Sequence, residues 1–404
     1  MNTVTQPPLV DMACYPDVEM HRAKIQQLLQ SDGTPVFICE RDNLVDRYQA
    51  LKQSLETHWG KHVIGYSFKT NYQVARSRIL QDIGAWAEVV SAREYEMARQ
   101  LEYPGSSIIF NGPLKPDDSL RAAIADGALI NINDHDELGR FIEITSDKST
   151  RVDVGIRVSS TLPRLGHSRF GFSLENDEAS SAVERIRNST GLNLVSLHSH
   201  LYGDTDDPEI YRVAARRLGE FAQSHVKDYQ RALKFVDIGG GYPAHGPKPR
   251  SRSAWDPRPI DIYIKHATES LRPFFPDREA CPALVVEPGR YLTCDGIILV
   301  TRVVHVKPRD EKQMVNCDGS ISMVPLTHYC PQVIQAFTPD LTRRAGEEVS
   351  TIIQGSTCRE NDLLYEGQFP RVQPGDYLVH FAAGAYNSNL SPDFIFKSPE
   401  MAVY

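Results

Sequence analysis

The 404-residue sequence has no apolar run approaching the roughly 20 residues that span a bilayer, and no basic stretch leading into an apolar segment within Met1–Met20. Neither a membrane span nor a secretory leader is expected. Cysteine is sparse and unpatterned: Cys14, Cys39, Cys281, Cys294, Cys317, Cys330 and Cys358 are scattered, odd in number and never spaced C-x-x-C. That usage fits a reducing cytoplasm and argues against a disulfide framework or a structural zinc site. Positive charge is also in deficit, with a formal net charge of -8. Nucleic acid and anionic membrane both demand a basic surface, so neither is expected as a partner. A small anionic substrate needs only a local basic pocket. G-x-G-x-x-G and G-K-S/T are absent as well, which disfavours a dinucleotide or a P-loop nucleotide.

What is present is alternation. Short apolar runs at His62–Lys69, Trp86–Val90, Ser107–Phe110, Leu129–Asn133, Val152–Val158, Leu192–His198, Lys234–Ile238 and Ala283–Glu287 read as eight strands. Stretches of helical periodicity separate most of them: Tyr72–Asp82, Ala92–Leu101, Pro116–Asp126, Asp134–Thr145, Asp177–Ser189, Pro208–Val226 and Asp261–Phe274. In one of these, Val213, Leu218, Phe221 and Ala222 mark an apolar face that Arg217 interrupts. Strands alternating with helices imply a parallel sheet with right-handed crossovers, and eight units in about 230 residues suit a closed (β/α)8 barrel better than an open doubly wound sheet. After Arg290 the texture changes to β-branched runs at Ile297–Val306, Val349–Gln354 and Tyr377–Phe381, which read as a β-rich second domain. The boundaries expected are 40–290 for the barrel, with 1–39 and 291–404 forming the β-rich domain. The run Pro35–Cys39 suits either one. Gly246–Arg258 is basic and Pro-rich, and reads as a mobile surface loop.

Barrel active sites lie at the C-terminal ends of the strands. Lys69 ends the first strand, Glu88 lies in the second, Asn111 follows the third and Arg157 lies in the fifth. His198 and His200 end the sixth, Gly239-Gly240-Gly241 the seventh, and Glu287-Pro288-Gly289-Arg290 the eighth. Polar residues scattered along the chain therefore converge on one mouth. The triple glycine would present bare backbone N–H groups to a phosphate, or simply make a tight turn with positive φ. Arg290 on the adjacent strand adds a cation that favours phosphate. Alone, Lys69 would be an idle solvated amine. Beside a phosphate site, burial would lower its pKa and favour imine formation with an aldehyde.

Tyr66-Ser67-Phe68-Lys69-Thr70-Asn71, His198-Ser199-His200, Asp237–Gly241 and Glu287–Arg290 resemble the fold-type III decarboxylases that use pyridoxal 5'-phosphate (PLP), the diaminopimelate and ornithine decarboxylase group. Val89-Val90-Ser91 with Glu94, Arg169-Phe170-Gly171, Cys358 with Asp362, and Gly384-Ala385-Tyr386 follow in the family's order, so the resemblance spans about 35–394. It implies an alanine-racemase-like barrel with a β-domain, and a cytoplasmic head-to-tail homodimer with shared active sites. It further implies that Lys69 carries PLP as a Schiff base while His200 stacks on the ring. Glu88 and Arg157 join the cofactor site, Gly239, Gly240, Gly241, Gly289, Arg290 and Tyr386 surround the phosphate, and Glu287 pairs with the pyridine nitrogen. Cys358 would arrive from the partner subunit as the acid that reprotonates the substrate carbon. A carboxylate at the ring nitrogen keeps it protonated and electron-accepting, which favours decarboxylation. The related racemases place an arginine there.

Three departures bear on substrate. Arg359 stands where the family's familiar members carry an acid for the substrate's distal amine, and a guanidinium would attract a carboxylate instead. If Arg359 points away, Glu360 or Asp362 takes that task. The Arg-Pro pair that meets a far carboxylate in diaminopimelate decarboxylases is missing from Asp318–Tyr329, where Met323-Val324-Pro325 stands. Tyr202-Gly203 replaces the usual Gly-Ser after the histidine, so one phosphate contact is lost or supplied otherwise. With Asp318, Arg359 and Asp362 as substrate residues, these departures favour an amino acid or conjugate with an anionic far end, such as the citryl-amino acids decarboxylated in siderophore biosynthesis. A diaminopimelate decarboxylase, a racemase and a non-catalytic binding relative are the alternatives. A metal enzyme would need a third ligand beside His198 and His200, and spacing marks none.

Overall fold

The computed structural model describes residues 12–146, 150–201, 205–246, 255–330 and 332–404. Strand β1 (Val36–Cys39) stands apart from the first sheet. The sheet begins with β2 (His62–Ser67), β3 (Trp86–Val89), β4 (Ile108–Phe110), β5 (Leu129–Ile132) and β6 (Val152–Ser159). A two-residue β7 (Phe172–Ser173) flanks β6, and β8 (Leu192–Ser199), β9 (Phe235–Asp237) and β10 (Ala283–Val286) complete the set. All pairings are parallel; β10 returns to β2 and β5 joins β6, so eight strands close a barrel. Its strands are buried on both faces, Tyr66, Ala87, Ile109, Ile130 and Val285 being fully enclosed, as a parallel sheet wrapped in helices requires.

The helices have identifiable starts. Ser91 accepts the Glu94 N–H at 3.2 Å while Glu94 accepts the Val90 N–H at 2.7 Å, a reciprocal cap that opens helix Ala92–Gln100. Asp207 caps Pro208–His225, with proline in the first turn. That helix buries Ile210, Ala214, Leu218, Phe221 and Ala222, and Arg217 lies beside this stripe, reaching Glu175 at 2.5 Å. The seven expected barrel helices stand within two residues of their expected starts, Ile260–Leu271 ending in a 3-10 turn Arg272–Phe274. Two helices not expected from the sequence, Arg22–Asp32 and Arg41–His58, precede the first barrel strand.

The second sheet contains β11 (Ile297–Arg309), β12 (Lys312–Cys317), β13 (Ile334–Phe337), β14 (Glu348–Gln354), β15 (Leu363–Pro370), β16 (Tyr377–His380) and β17 (Met401–Val403). Their order is β13-β16-β11-β12-β14-β15, with β1 pairing antiparallel to β11 and parallel to β17. The Pro35–Cys39 run thus belongs to this sheet: all four β1 residues are buried, and Val36 stands opposite Val300. No disulfide joins any of the seven cysteines. Among the described residues no helix is long and apolar enough to cross a membrane. The loop read at 246–258 lies largely outside the described residues, as do Tyr202 and Gly203.

Candidate active site

Lys69 does not extend its strand. β2 ends at Ser67 and the chain folds into a 3-10 turn, Phe68–Thr70, that turns the lysine into the mouth. Its Nζ meets Glu88 Oε2 at 2.5 Å, and the Ser67 hydroxyl donates to the same oxygen at 2.5 Å. Glu88, at the end of β3, is almost fully buried. Its other oxygen accepts from Asn111 Nδ2 at 3.0 Å, and the same Nδ2 donates to Glu287 Oε1 at 2.5 Å. Glu287 Oε2 lies 3.4 Å from His198 Nε2 and 3.5 Å from His200 Nδ1. Lys69, Glu88, Asn111, Glu287, His198 and His200 therefore form one connected cluster. This is the convergence expected from strand ends.

The electrostatics correct one expectation. Burial works to lower the Lys69 pKa, but Glu88 and then Glu287 outweigh it and hold the amine above its ordinary value. Burial likewise opposes ionisation of Glu287, yet His198 and then Lys69 keep it well below the usual carboxylate range. Asp237 goes the other way: burial and the neighbouring Glu287 hold its carboxyl far above the usual range, so it keeps its proton. Two buried acids side by side thus divide into one charged and one neutral. Burial lowers the Arg157 guanidinium, which Glu287 and Glu88 partly restore, and its side chain lies 5.0 Å from the Phe170 ring centre.

His200 is neutral. Burial depresses its pKa, and its Nδ1 accepts the Gly240 N–H at 3.1 Å, which puts the ring proton on Nε2. The Gly239 N–H donates to Asp237 Oδ1 at 2.8 Å. Two of the three glycine N–H groups are thus engaged within the chain rather than bare, a second correction. What demands glycine here is close approach: a Cβ on Gly240 would stand 2.1 Å from the Glu287 carbonyl oxygen, and Gly239 and Gly241 have φ of 68° and 87°. On the other wall, a Cβ on Gly289 would meet Thr70 Oγ1 at 2.1 Å. The Arg290 guanidinium lies 4.8 Å from the Tyr386 ring centre, and the Tyr386 N–H donates to Thr70 O at 2.9 Å. Asn71 Nδ2 binds Gly384 O at 2.8 Å and Asn389 Nδ2 binds Phe68 O at 3.1 Å, so the second domain braces the lysine turn from outside.

The proposed substrate residues lie elsewhere. Among the described residues no hydrogen bond or ion pair joins Cys358 or Arg359 to the Lys69 cluster. Both are exposed on the β14–β15 loop, with Arg359 Nε at 3.2 Å from Asn361 Oδ1 and its guanidinium 5.9 Å from the Phe394 ring centre. Asp362 is not free for a substrate: it is buried, and its carboxylate accepts from Ile321 N at 2.8 Å, Ser320 Oγ at 3.2 Å, Thr357 N at 3.0 Å and Thr357 Oγ1 at 2.5 Å. Asp318 accepts from Arg302 N at 2.7 Å and Thr34 Oγ1 at 2.5 Å, tying the approach to β1 onto β11. Both acids act as loop braces within this chain.

Residues that sequence reasoning passed over complete the cluster. Asn131 Nδ2 donates to Asn111 Oδ1 at 2.9 Å, and fully buried Lys115 donates to Asn131 O at 3.1 Å and Glu137 Oε1 at 2.8 Å. The readable signal was an asparagine within the apolar strand Leu129–Ile132. The third donor that spacing did not mark beside His198 and His200 is Glu287, the three ligand atoms lying within 4.8 Å of one another. With His200 Nδ1 already accepting an N–H, that set suits a neutral ring over an ionised acid better than a metal ion. PLP is chemically matched here: an amine at Lys69, an ionised acid at Glu287, a glycine-lined wall, and a guanidinium at Arg290.

Comparison with known proteins agrees. Residues 41–294 match the family model described as "Pyridoxal-dependent decarboxylase, pyridoxal binding domain". Diaminopimelate decarboxylase of Aquifex aeolicus is 25% identical over 387 residues, covering 92% of this chain and 86% of that protein. The enzyme of Methanothermobacter thermautotrophicus is 24% identical, covering 94% and 90%. Among solved structures, diaminopimelate decarboxylase of M. jannaschii in complex with L-lysine superposes with a TM-score of 0.82 at 20% identity, covering 94% of this chain and 89% of that one. The lysine/ornithine decarboxylase of Vibrio vulnificus complexed with cadaverine gives 0.78 at 22%, covering 95% and 98%. These likenesses carry the same barrel and β-domain. With its barrel matched almost end to end, this chain belongs to the PLP-dependent amino-acid decarboxylase family.

Proposed function

We propose that this enzyme removes the α-carboxylate of an amino acid at the Lys69–Glu287 cluster, using the cofactor of its family. The observation that carries this reading is the ionised Glu287 hydrogen-bonded into one network with Lys69. Pyridoxal phosphate supplies an aldehyde for amines and a conjugated ring that accepts the electrons left when CO2 departs. Lys69 anchors the aldehyde and Glu88 holds the proton balance of that amine. Glu287 holds a proton at the ring nitrogen. His200, neutral, offers a flat face to the ring, while Gly239–Gly241, Gly289, Arg290 and Tyr386 receive the phosphate. Reduction with borohydride and peptide mapping tests this: the label belongs on Lys69, and a label elsewhere, or none, overturns it. A non-catalytic relative would show no absorption at roughly 420 nm from a bound Schiff base.

The relatives' names favour diaminopimelate as substrate over the alternatives. Their agreement outweighs the missing Arg-Pro pair, since sequence at this distance allows another group to meet the far carboxylate. Exposed Arg359 keeps the second reading in view, a conjugate with an anionic tail such as a citryl-amino acid of siderophore biosynthesis. Release of CO2 from meso-diaminopimelate and from citryl-amino acids, measured side by side, separates the two.

A cytoplasmic homodimer with shared sites completes the reading. Leu390, Phe394, Ile395 and Phe396 form an exposed apolar segment that Arg359 overlies at Phe394. Such a patch marks an interface, and a second copy covering it would present Cys358 to a neighbouring barrel mouth as proton donor to the substrate carbon.

A further inference from the structure

We propose that Asn111 is a positioning residue: its single amide NH2 pins Glu88 to Glu287 and thereby sets how readily the Lys69 amine gives up its proton. This rests on Lys69 being the reactive amine. Asn111 follows β4, yet Nδ2 reaches both the acid at the end of β3 and the acid at the end of β10, which flank β2 on either side. An NH2 group has two hydrogens, one for each carboxylate. Its orientation is locked, because Oδ1 accepts from Asn131 Nδ2 at 2.9 Å and a flipped amide would set its oxygen against two anions. Asn131 is held in turn through its backbone oxygen by Lys115, which is enclosed and paired with Glu137.

A buried asparagine is more often a satisfied core polar group than a functional one. Here the partners decide otherwise. Among the described residues, Asn111 is the recorded hydrogen-bond donor to Oε1 of both acids, whereas Glu88 Oε2 has Ser67 and Lys69 and Glu287 Oε2 faces the two histidines. Donation to both fixes the two carboxylates beside the amine, and their charge raises Lys69 above its ordinary value. The other titratable groups facing this pair are Arg157, Asp237, Glu94 and Tyr386. Without the bridge, the two carboxylates are no longer held against the amine, which is released at lower pH.

The test reads the pH profile of Lys69 acylation by acetic anhydride, followed by peptide mapping, in the full chain freed of cofactor. Asn111→Leu should move the midpoint down by about one unit, making labelling about tenfold faster at pH 8. In a Glu88→Gln background the same substitution should add less than about twofold, because the charge it acts through is gone. A residue that merely filled space would lower the unfolding temperature and leave the profile where it was. If Asn111→Leu does not fold, Asn131→Ala decides, with about a threefold increase expected from the loosened amide. Profiles within twofold of wild type for the folded variants overturn the inference. The cofactor reading fails separately, through a borohydride label absent from Lys69 in the loaded enzyme.

Discussion

Two regions contrast: the barrel mouth and the β14–β15 loop. At the mouth, Glu88, Asn111 and Glu287 are enclosed and each is held by several bonds within the chain, and half-buried Lys69 is held by Glu88. On the loop, Cys358 and Arg359 stand exposed, and the recorded side-chain donation is from Arg359 Nε to Asn361 Oδ1. The difference teaches that the fold locks the mouth cluster from within and leaves the β14–β15 loop open; on the proposed function, the open groups are those completed by a second copy.

The largest effects should come from the locked half. Lys69→Arg should lower kcat about 10³-fold or more and abolish the borohydride label, since arginine cannot form the link. Glu287→Gln, which keeps the shape and removes the charge, should lower kcat by about 10²–10³-fold. A loss below tenfold would mean that the acid is a structural brace like Asp362. The open half predicts a different pattern. Cys358→Ala should lower kcat by about 10²-fold with cofactor absorption unchanged. Mixed with Lys69→Arg, it should regain about a quarter of wild-type activity, because half of randomly paired dimers hold one intact shared site. Failure to regain any activity would sink the shared-site reading and leave the exposed loop unexplained. Arg359→Glu should be gentler, raising KM about tenfold for substrates with a far carboxylate.

The same contrast explains what was legible in the sequence. Lys69, His200, Gly239–Gly241 and Glu287 could be located because strand ends in an alternating pattern must converge on one mouth. The sign of the Lys69 shift could not, because it depends on carboxylates contributed by β3 and β10 and on their distance. Asn131 was visible as a polar residue in an apolar strand, but its link to Asn111 is a matter of geometry. That Asp318 and Asp362 hydrogen-bond within their own chain could not be read, because loop path decides whether an acid points outward or braces its own backbone. The pairing of β1 with β11 and β17 joins residues far apart in the chain, and four buried apolar residues look alike in either domain.

The smallest expected effect sharpens the comparison from a third place. His380, at the end of β16, is fully buried in the second sheet, with Nε2 at 3.2 Å from Thr301 Oγ1 and no partner for Nδ1. Unlike His200, it has no carboxylate beside it, and burial alone pushes its pKa down to about 3. The unfolded chain therefore binds a proton near pH 6.5 that the folded chain refuses until about pH 3. Stability is fully present above pH 6.5 and is lost as pH falls, by about 1.4 kcal/mol per unit. Between pH 6.5 and 5.5 the unfolding temperature of the wild type should drop by about 2 °C more than that of His380→Gln. Equal slopes for the two proteins would mean that the imidazole gains a partner on protonation, and that the second sheet is as well braced against charge as the barrel mouth.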